Sequence, residues 1–108
     1  MITTHVLDTA AGKPAVGMSV VLATHRDSEW VRVASGHTDS QGRVTTFTGE
    51  MEILPGVYRL TFDTGTYHRD GDSFFPEIQV IFKLKSAGEH IHVPLLVSPF
   101  GYTTYRGA

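Results

Sequence analysis

The chain has 108 residues, nine Lys+Arg against eleven Asp+Glu and a formal charge of -2; this length suits one domain, residues 1–108, and the absence of a basic block makes nucleic acid a poor partner. Its hydrophobic content of 41% lies well above a disordered composition, and the lack of any cysteine excludes a disulfide framework and a thiolate nucleophile. A metal site would have to draw on histidine and carboxylate ligands.

The first residues, Met1 to Asp8, show no basic patch followed by an apolar run, and no apolar stretch reaches the roughly 18 residues of a membrane helix. A cytoplasmic protein with no membrane association is therefore expected. Removal of a signal peptide ahead of Met1 would instead place it in the periplasm.

Thr3 to Asp8 reads as a first strand, followed by a turn-rich segment from Thr9 to Pro14. Met18 to Thr24 and Glu29 to Ser35 are β-branched runs of strand length, joined by a short connection at His25 to Ser28. Asp39-Ser-Gln-Gly42 is a turn signal, and Arg43 to Phe47 predicts a short strand beyond it. After Leu54-Pro-Gly56, Tyr58, Leu60 and Phe62 alternate with Arg59 and Thr61, which is the period of a half-buried strand.

Thr64 to Gly71 predicts one short helical turn, and Asp72 to Pro76 leads into the next strand. There Ile78, Val80, Phe82 and Leu84 alternate with Gln79, Ile81, Lys83 and Lys85. In the following run Ile91, Val93, Leu95 and Val97 share the face opposite His90 and His92, and Pro94 predicts a break, a bulge or an edge. Tyr102 to Arg106 makes a last strand. No helical period persists, so about eight strands separated by Gly/Pro turns predict two antiparallel sheets packed face to face.

The polar residues leave several readings open. His90-x-His92 on a strand is most often plain solvated polarity; it could also supply zinc with a third histidine, or move protons near neutral pH. His25, His37 and His68 lie near turns and read as surface groups. Arg43, directly after the glycine turn, suits an anionic or carbonyl-rich ligand, although a solvated cation is the commoner fate. Tyr102, Tyr105 and Arg106 near the end of the chain could form a stacking and hydrogen-bonding wall, or simply pack the sheet. Nucleophile elbow, phosphate loop, dinucleotide fingerprint and H-E-x-x-H motifs are all missing.

Three separated segments, Thr4-His-Val-Leu-Asp-Thr9, the Gly42-Arg43 turn, and His90-Ile-His-Val-Pro-Leu-Leu-Val through Tyr105-Arg-Gly107, resemble the 5-hydroxyisourate hydrolases of the transthyretin-like family. Asp63-Thr-Gly65 and Ser73-Phe-Phe-Pro76 extend the match to nearly the whole chain. The resemblance implies an eight-stranded sandwich with one short helix, assembled as a homotetramer, a dimer of dimers with its sites in the channel between dimers.

It also implies hydrolysis of a small oxidised purine, 5-hydroxyisourate, without a cofactor or metal. His5, Arg43 and His92 correspond to the catalytic trio, with one histidine, His92 by preference, activating water. Tyr105, Arg106 and Gly107 correspond to substrate-binding residues that close the pocket, and His90 either orients it or lies beside it. Ala108 replaces the serine that usually ends the family's Tyr-Arg-Gly-Ser tetrapeptide. The hydroxyl is lost, which implies weakened activity, and a natural variant and a deliberate substitution both fit. A transthyretin-like carrier that binds a small ligand without catalysis is the alternative function.

Overall fold

The computed structural model describes residues 1–47, 52–68, 71 and 73–108. Its strands are β1 (Ile2–Asp8), β2 (Lys13–Pro14), β3 (Ser19–Arg26), β4 (Glu29–His37), β5 (Arg43–Val44), β6 (Gly56–Phe62), β7 (Ile78–Leu84), β8 (Ile91–Ser98) and β9 (Gly101–Thr104). A short helix, α1 (Thr64–Tyr67), follows β6, and its first turn is capped by the Asp63 carboxylate, which accepts from the Thr66 amide at 3.1 Å.

Two sheets result. One has the order β2-β1-β8-β9, with β5 also paired to β1, and the other has the order β4-β3-β6-β7. Their apolar faces meet in one core. Ile2, Val6, Val93, Leu95 and Val97 come from the first sheet, and Val20, Leu22, Leu60, Phe62 and Ile78 from the second, all of them buried. Each such aliphatic or aromatic side chain contributes about 2 kcal/mol by leaving water, so Leu95→Ala would cost roughly 2–5 kcal/mol, transfer and cavity together.

The outline matches the sandwich expected from the alternating patterns, and differs from it in pairing and in strand ends. First, β1 pairs with β8 in parallel, from Ile2↔Ile91 to Asp8↔Val97, so the sheets are not wholly antiparallel. These two strands are separated in the chain by the whole second sheet, and no hairpin dictates their relative direction.

Second, β2 lies in a segment that read as turn. It is a two-residue edge piece pairing Pro14 with Leu7 and Lys13 with Asp8, and an edge tolerates proline. Third, β5 covers Arg43–Val44 rather than extending to Phe47, because it shares the outer edge of β1 with β2. Of the outcomes expected at Pro94 the structure shows the edge, with β8 itself running unbroken through it. The β8–β9 ladder starts at Leu95↔Thr104, so the missing N–H interrupts no rung of it, and the Pro94 carbonyl accepts from Thr104 Oγ1 at 2.8 Å.

The β3–β4 connection is also tighter than the sequence suggested. Asp27 and Ser28 form a two-residue turn with φ of 52° and 66°, the left-handed geometry that matches strand twist, so the strands continue to Arg26 and Glu29. The predicted helical turn begins at Thr64 as expected; residues 69 and 70, and residue 72 of the segment after it, lie outside the described residues.

Candidate active site

Strand β1 seats the polar constellation. Its even positions Ile2, Thr4 and Val6 are buried against the core, which sends Thr3 and His5 to the opposite face of the sheet. Register then selects their neighbours. His5 stands opposite Arg43 on one side of β1, while Thr3 stands opposite His92 and His5 opposite Pro94 on the other. Residues far apart in the chain are thereby gathered on one sheet face. His5 and His92 are offset by two residues, about 7 Å along the strands, and by one strand spacing of about 4.8 Å.

A tight turn aims Arg43. Gly42 has φ +78°, and a Cβ there would stand 2.4 Å from the Val6 carbonyl oxygen, so only glycine fits. The Val6 amide donates to the Gly42 carbonyl at 2.7 Å, which ties the turn to β1. Asp39 braces the same turn, its Oδ1 accepting from the Gln41 amide at 2.8 Å and the Arg43 amide at 3.0 Å. Hydrogen bonds from the Arg43 and Gln41 amides hold the Asp39 carboxyl below its ordinary range, and the Arg43 and His5 charges act in the same direction. Arg43 itself is exposed beside His5.

His5 is held in one orientation by the same loop. Its Nε2 lies 2.8 Å from the Gln41 carbonyl oxygen, which can only accept, so Nε2 carries a proton and Nδ1 is the nitrogen left for other work. On β8, His92 Nδ1 lies 2.8 Å from Thr3 Oγ1, and the same hydroxyl lies 3.2 Å from His90 Nε2. Burial pushes the His92 imidazole below its usual pKa, helped by the positive potential of His5, His90 and Arg43. It is therefore uncharged at neutral pH.

The end of the chain docks on this face through backbone contacts. The Gly107 amide donates to the His92 carbonyl at 2.8 Å. A Cβ on Gly107 would meet His92 Cδ2 at 2.6 Å. Arg106 turns towards Glu89, forming a 2.7 Å ion pair while its side chain stays 65% exposed. Tyr105 and Arg106 line a groove of about 220 Å³ with Val80, Phe82, Ile91 and Val93, at the margin where the two sheets open.

The structure thus brings together His5, Arg43, His90, His92 and Gly107, whereas Tyr105 and Arg106 line a groove on the Ile91 and Val93 side of β8, opposite the histidine face. His25 packs edge-on against Trp30 on the other sheet. Thr3 and Asp39 carry the geometry without standing out in the sequence as site residues. Asp39 had a signal in its turn motif; Thr3 had none, because its place depends on a parallel register. Among the described residues no three His, Asp or Glu side chains are grouped to hold a metal ion.

Chemically, the face offers an uncharged imidazole, a second imidazole of fixed orientation and a guanidinium, the groups needed to deprotonate water and stabilise an oxyanion. Comparison with known proteins points the same way. A model of the HIUase/Transthyretin family matches residues 2–107. The 5-hydroxyisourate hydrolase of Salmonella typhimurium is 46% identical over 110 residues, covering 100% of this chain and 81% of that protein. Among solved structures, that of Klebsiella pneumoniae 5-hydroxyisourate hydrolase superposes with a TM-score of 0.83 at 36% identity, covering 99% of this chain and 98% of the other. Sea bream transthyretin in complex with thyroxine superposes with a TM-score of 0.91 at 31% identity, covering 98% and 93%.

Proposed function

The chain belongs to the HIUase/Transthyretin family, and from that premise we propose that it hydrolyses 5-hydroxyisourate. The observation that carries the proposal is the convergence of His5, Arg43 and His92 on one sheet face through the β1–β5 and β1–β8 registers. A carrier needs no proton acceptor beside a guanidinium; a hydrolase does.

In the proposed reaction His92, uncharged because burial lowers its basicity, takes a proton from water as the oxygen bonds to the C6 carbonyl carbon. Arg43 donates to the oxygen on which charge grows, where a preorganised cation has most effect. The N1–C6 bond then breaks, N1 receives a proton, and the six-membered ring opens to 2-oxo-4-hydroxy-4-carboxy-5-ureidoimidazoline. His5, fixed by Gln41 through Nε2, is positioned to orient the water or manage the leaving-group proton through Nδ1. Water, an imidazole and a guanidinium are sufficient for this chemistry.

Assembly into a homotetramer, a dimer of dimers, would enclose this sheet face and exclude bulk water, strengthening each electrostatic contact. Gly107 closes the pocket against His92, with His90 bordering it, while Tyr105 and Arg106 lie towards the groove on the other side of β8. Ala108 lacks a hydroxyl to position substrate or water, so turnover is below what serine at this position would give.

Thyroxine bound to sea bream transthyretin keeps a ligand-carrier reading in play for the same fold. Adding the chain to freshly generated 5-hydroxyisourate and following its absorbance separates the two. Decay faster than the spontaneous rate supports hydrolysis, whereas retention of substrate with decay no faster than spontaneous supports the carrier.

A further inference from the structure

Thr3 occupies a position that the chemistry above does not use. It is 5% exposed, and its hydroxyl lies between two imidazoles, 2.8 Å from His92 Nδ1 and 3.2 Å from His90 Nε2. A hydroxyl has one proton to give, so it can donate to only one of the two rings and must accept from the other. The three groups therefore form a hydrogen-bonded chain with two possible directions.

In the first direction, His92 Nδ1–H donates to Thr3, and Thr3 donates to His90 Nε2; His92 Nε2 is left with its lone pair. In the second, His90 Nε2–H donates to Thr3, and Thr3 donates to His92 Nδ1, so neutral His92 must carry its proton on Nε2. Only the first leaves Nε2 able to accept a proton from water. It also survives the reaction, because a doubly protonated His92 still donates through Nδ1, whereas the second direction offers it no acceptor.

We propose that Thr3 is a positioning residue that holds His92 as its Nδ1–H tautomer, with Nε2 free as the proton acceptor and His90 as the terminal acceptor of the chain. The inference rests on the hydrolase reading, because a base at Nε2 is what selects this direction, but the tautomer is measured independently of turnover. His90 thereby acquires a defined role, accepting from the Thr3 hydroxyl and so fixing the direction. Gly107, flush against His92 Cδ2, limits tilting of the same ring from another side. Because Thr3 and His92 are direct partners across β1 and β8, the hydroxyl is delivered by backbone register.

The test compares the wild-type chain with Thr3→Val, which keeps the shape and removes the hydroxyl, and Thr3→Ser, which restores it. Nitrogen NMR of the ¹⁵N-histidine-labelled protein reads the tautomer directly. In wild type and Thr3→Ser, His92 Nδ1 should give a proton-bearing signal and Nε2 a lone-pair signal at neutral pH; Thr3→Val should give a mixture. Ring opening followed on the same samples should show kcat lowered about 10- to 100-fold in Thr3→Val, the loss typical when a group orienting a functional histidine is removed, with KM little changed and Thr3→Ser close to wild type.

A proton on His92 Nε2 in the wild type would overturn the proposal, as would an unchanged tautomer in Thr3→Val. Should Thr3→Val not fold, the wild-type and Thr3→Ser spectra still decide it. Failure of the wild type to accelerate ring opening would refute the hydrolase reading while leaving the tautomer measurement to stand or fall alone.

Discussion

Gly107 lies flush against His92: its amide donates to the His92 carbonyl at 2.8 Å, and a side-chain carbon added to it would fall 2.6 Å from Cδ2 of the ring. The close of the chain and the proposed base are thus a single packed unit. Gly107→Ala must displace the ring, the tail or both. A misplacement near 1 Å at a working group costs on the order of 100-fold in rate. Turnover should fall by about that factor while the melting temperature stays near wild type, since the core strands are untouched; steady-state kinetics beside a thermal melt would show it.

Gly42→Ala should behave differently, because here the added carbon would sit 2.4 Å from the Val6 carbonyl at φ +78°. Both strain and collision act on the backbone that joins β5 to β1. A loss of about 2 kcal/mol or more in unfolding free energy is expected, together with loss of activity as Arg43 is displaced. Urea titration monitored by Trp30 fluorescence would measure the first effect.

The pH profile follows from the direction of the His92 shift. Burial and the neighbouring His5, His90 and Arg43 lower its pKa from 6.5, so its unprotonated form persists to lower pH than in a free imidazole. Activity should be full at neutral pH and fall as pH drops through the lowered value, with the acid limb of kcat/KM below 6.5. Arg43→Gln removes one source of the positive potential and should move any residual acid limb upward; a limb fixed by an unperturbed histidine would appear at about 6.5 in both.

Ala108→Ser restores a hydroxyl donor and acceptor next to Gly107. If that group contacts substrate or water, kcat/KM should rise by about tenfold, the effect of one added hydrogen bond worth roughly 1–1.5 kcal/mol. Equal rates for the two forms would show that the position is indifferent to the hydroxyl.

The architecture was largely legible from alternation: the inward-facing sets on β6, β7 and β8, buried or half-buried, are those the two-residue period picks out. What the period could not supply was direction and pairing. Parallel pairing of β1 with β8 depends on how the whole chain closes, and β2 is held by the edge of β1 rather than by any preference of Lys13 and Pro14.

The site divides in the same way. His5, Arg43 and His92 stood out through short motifs shared with a family, but nothing in their spacing shows that they meet. Thr3 was invisible as a site residue because a threonine in a strand is ordinary until register sets it against His92. Fold likeness alone would not have chosen a function either. The thyroxine-bound transthyretin superposes more closely than the Klebsiella hydrolase, with TM-scores of 0.91 and 0.83, so the reading must come from the side chains on the sheet face.

In the proposed reaction His5, Arg43 and His92 act together on one substrate. The most direct measurement is kcat/KM for ring opening of freshly generated 5-hydroxyisourate by the wild type, by His5→Ala, Arg43→Ala and His92→Ala, and by the triple variant. Groups acting as a unit are strongly non-additive: each single change should cost about 100-fold or more, and the triple variant should be little worse than the poorest single one. Wild-type turnover in His92→Ala or Arg43→Ala, with the folded state intact, would show that the three residues are not one catalytic unit.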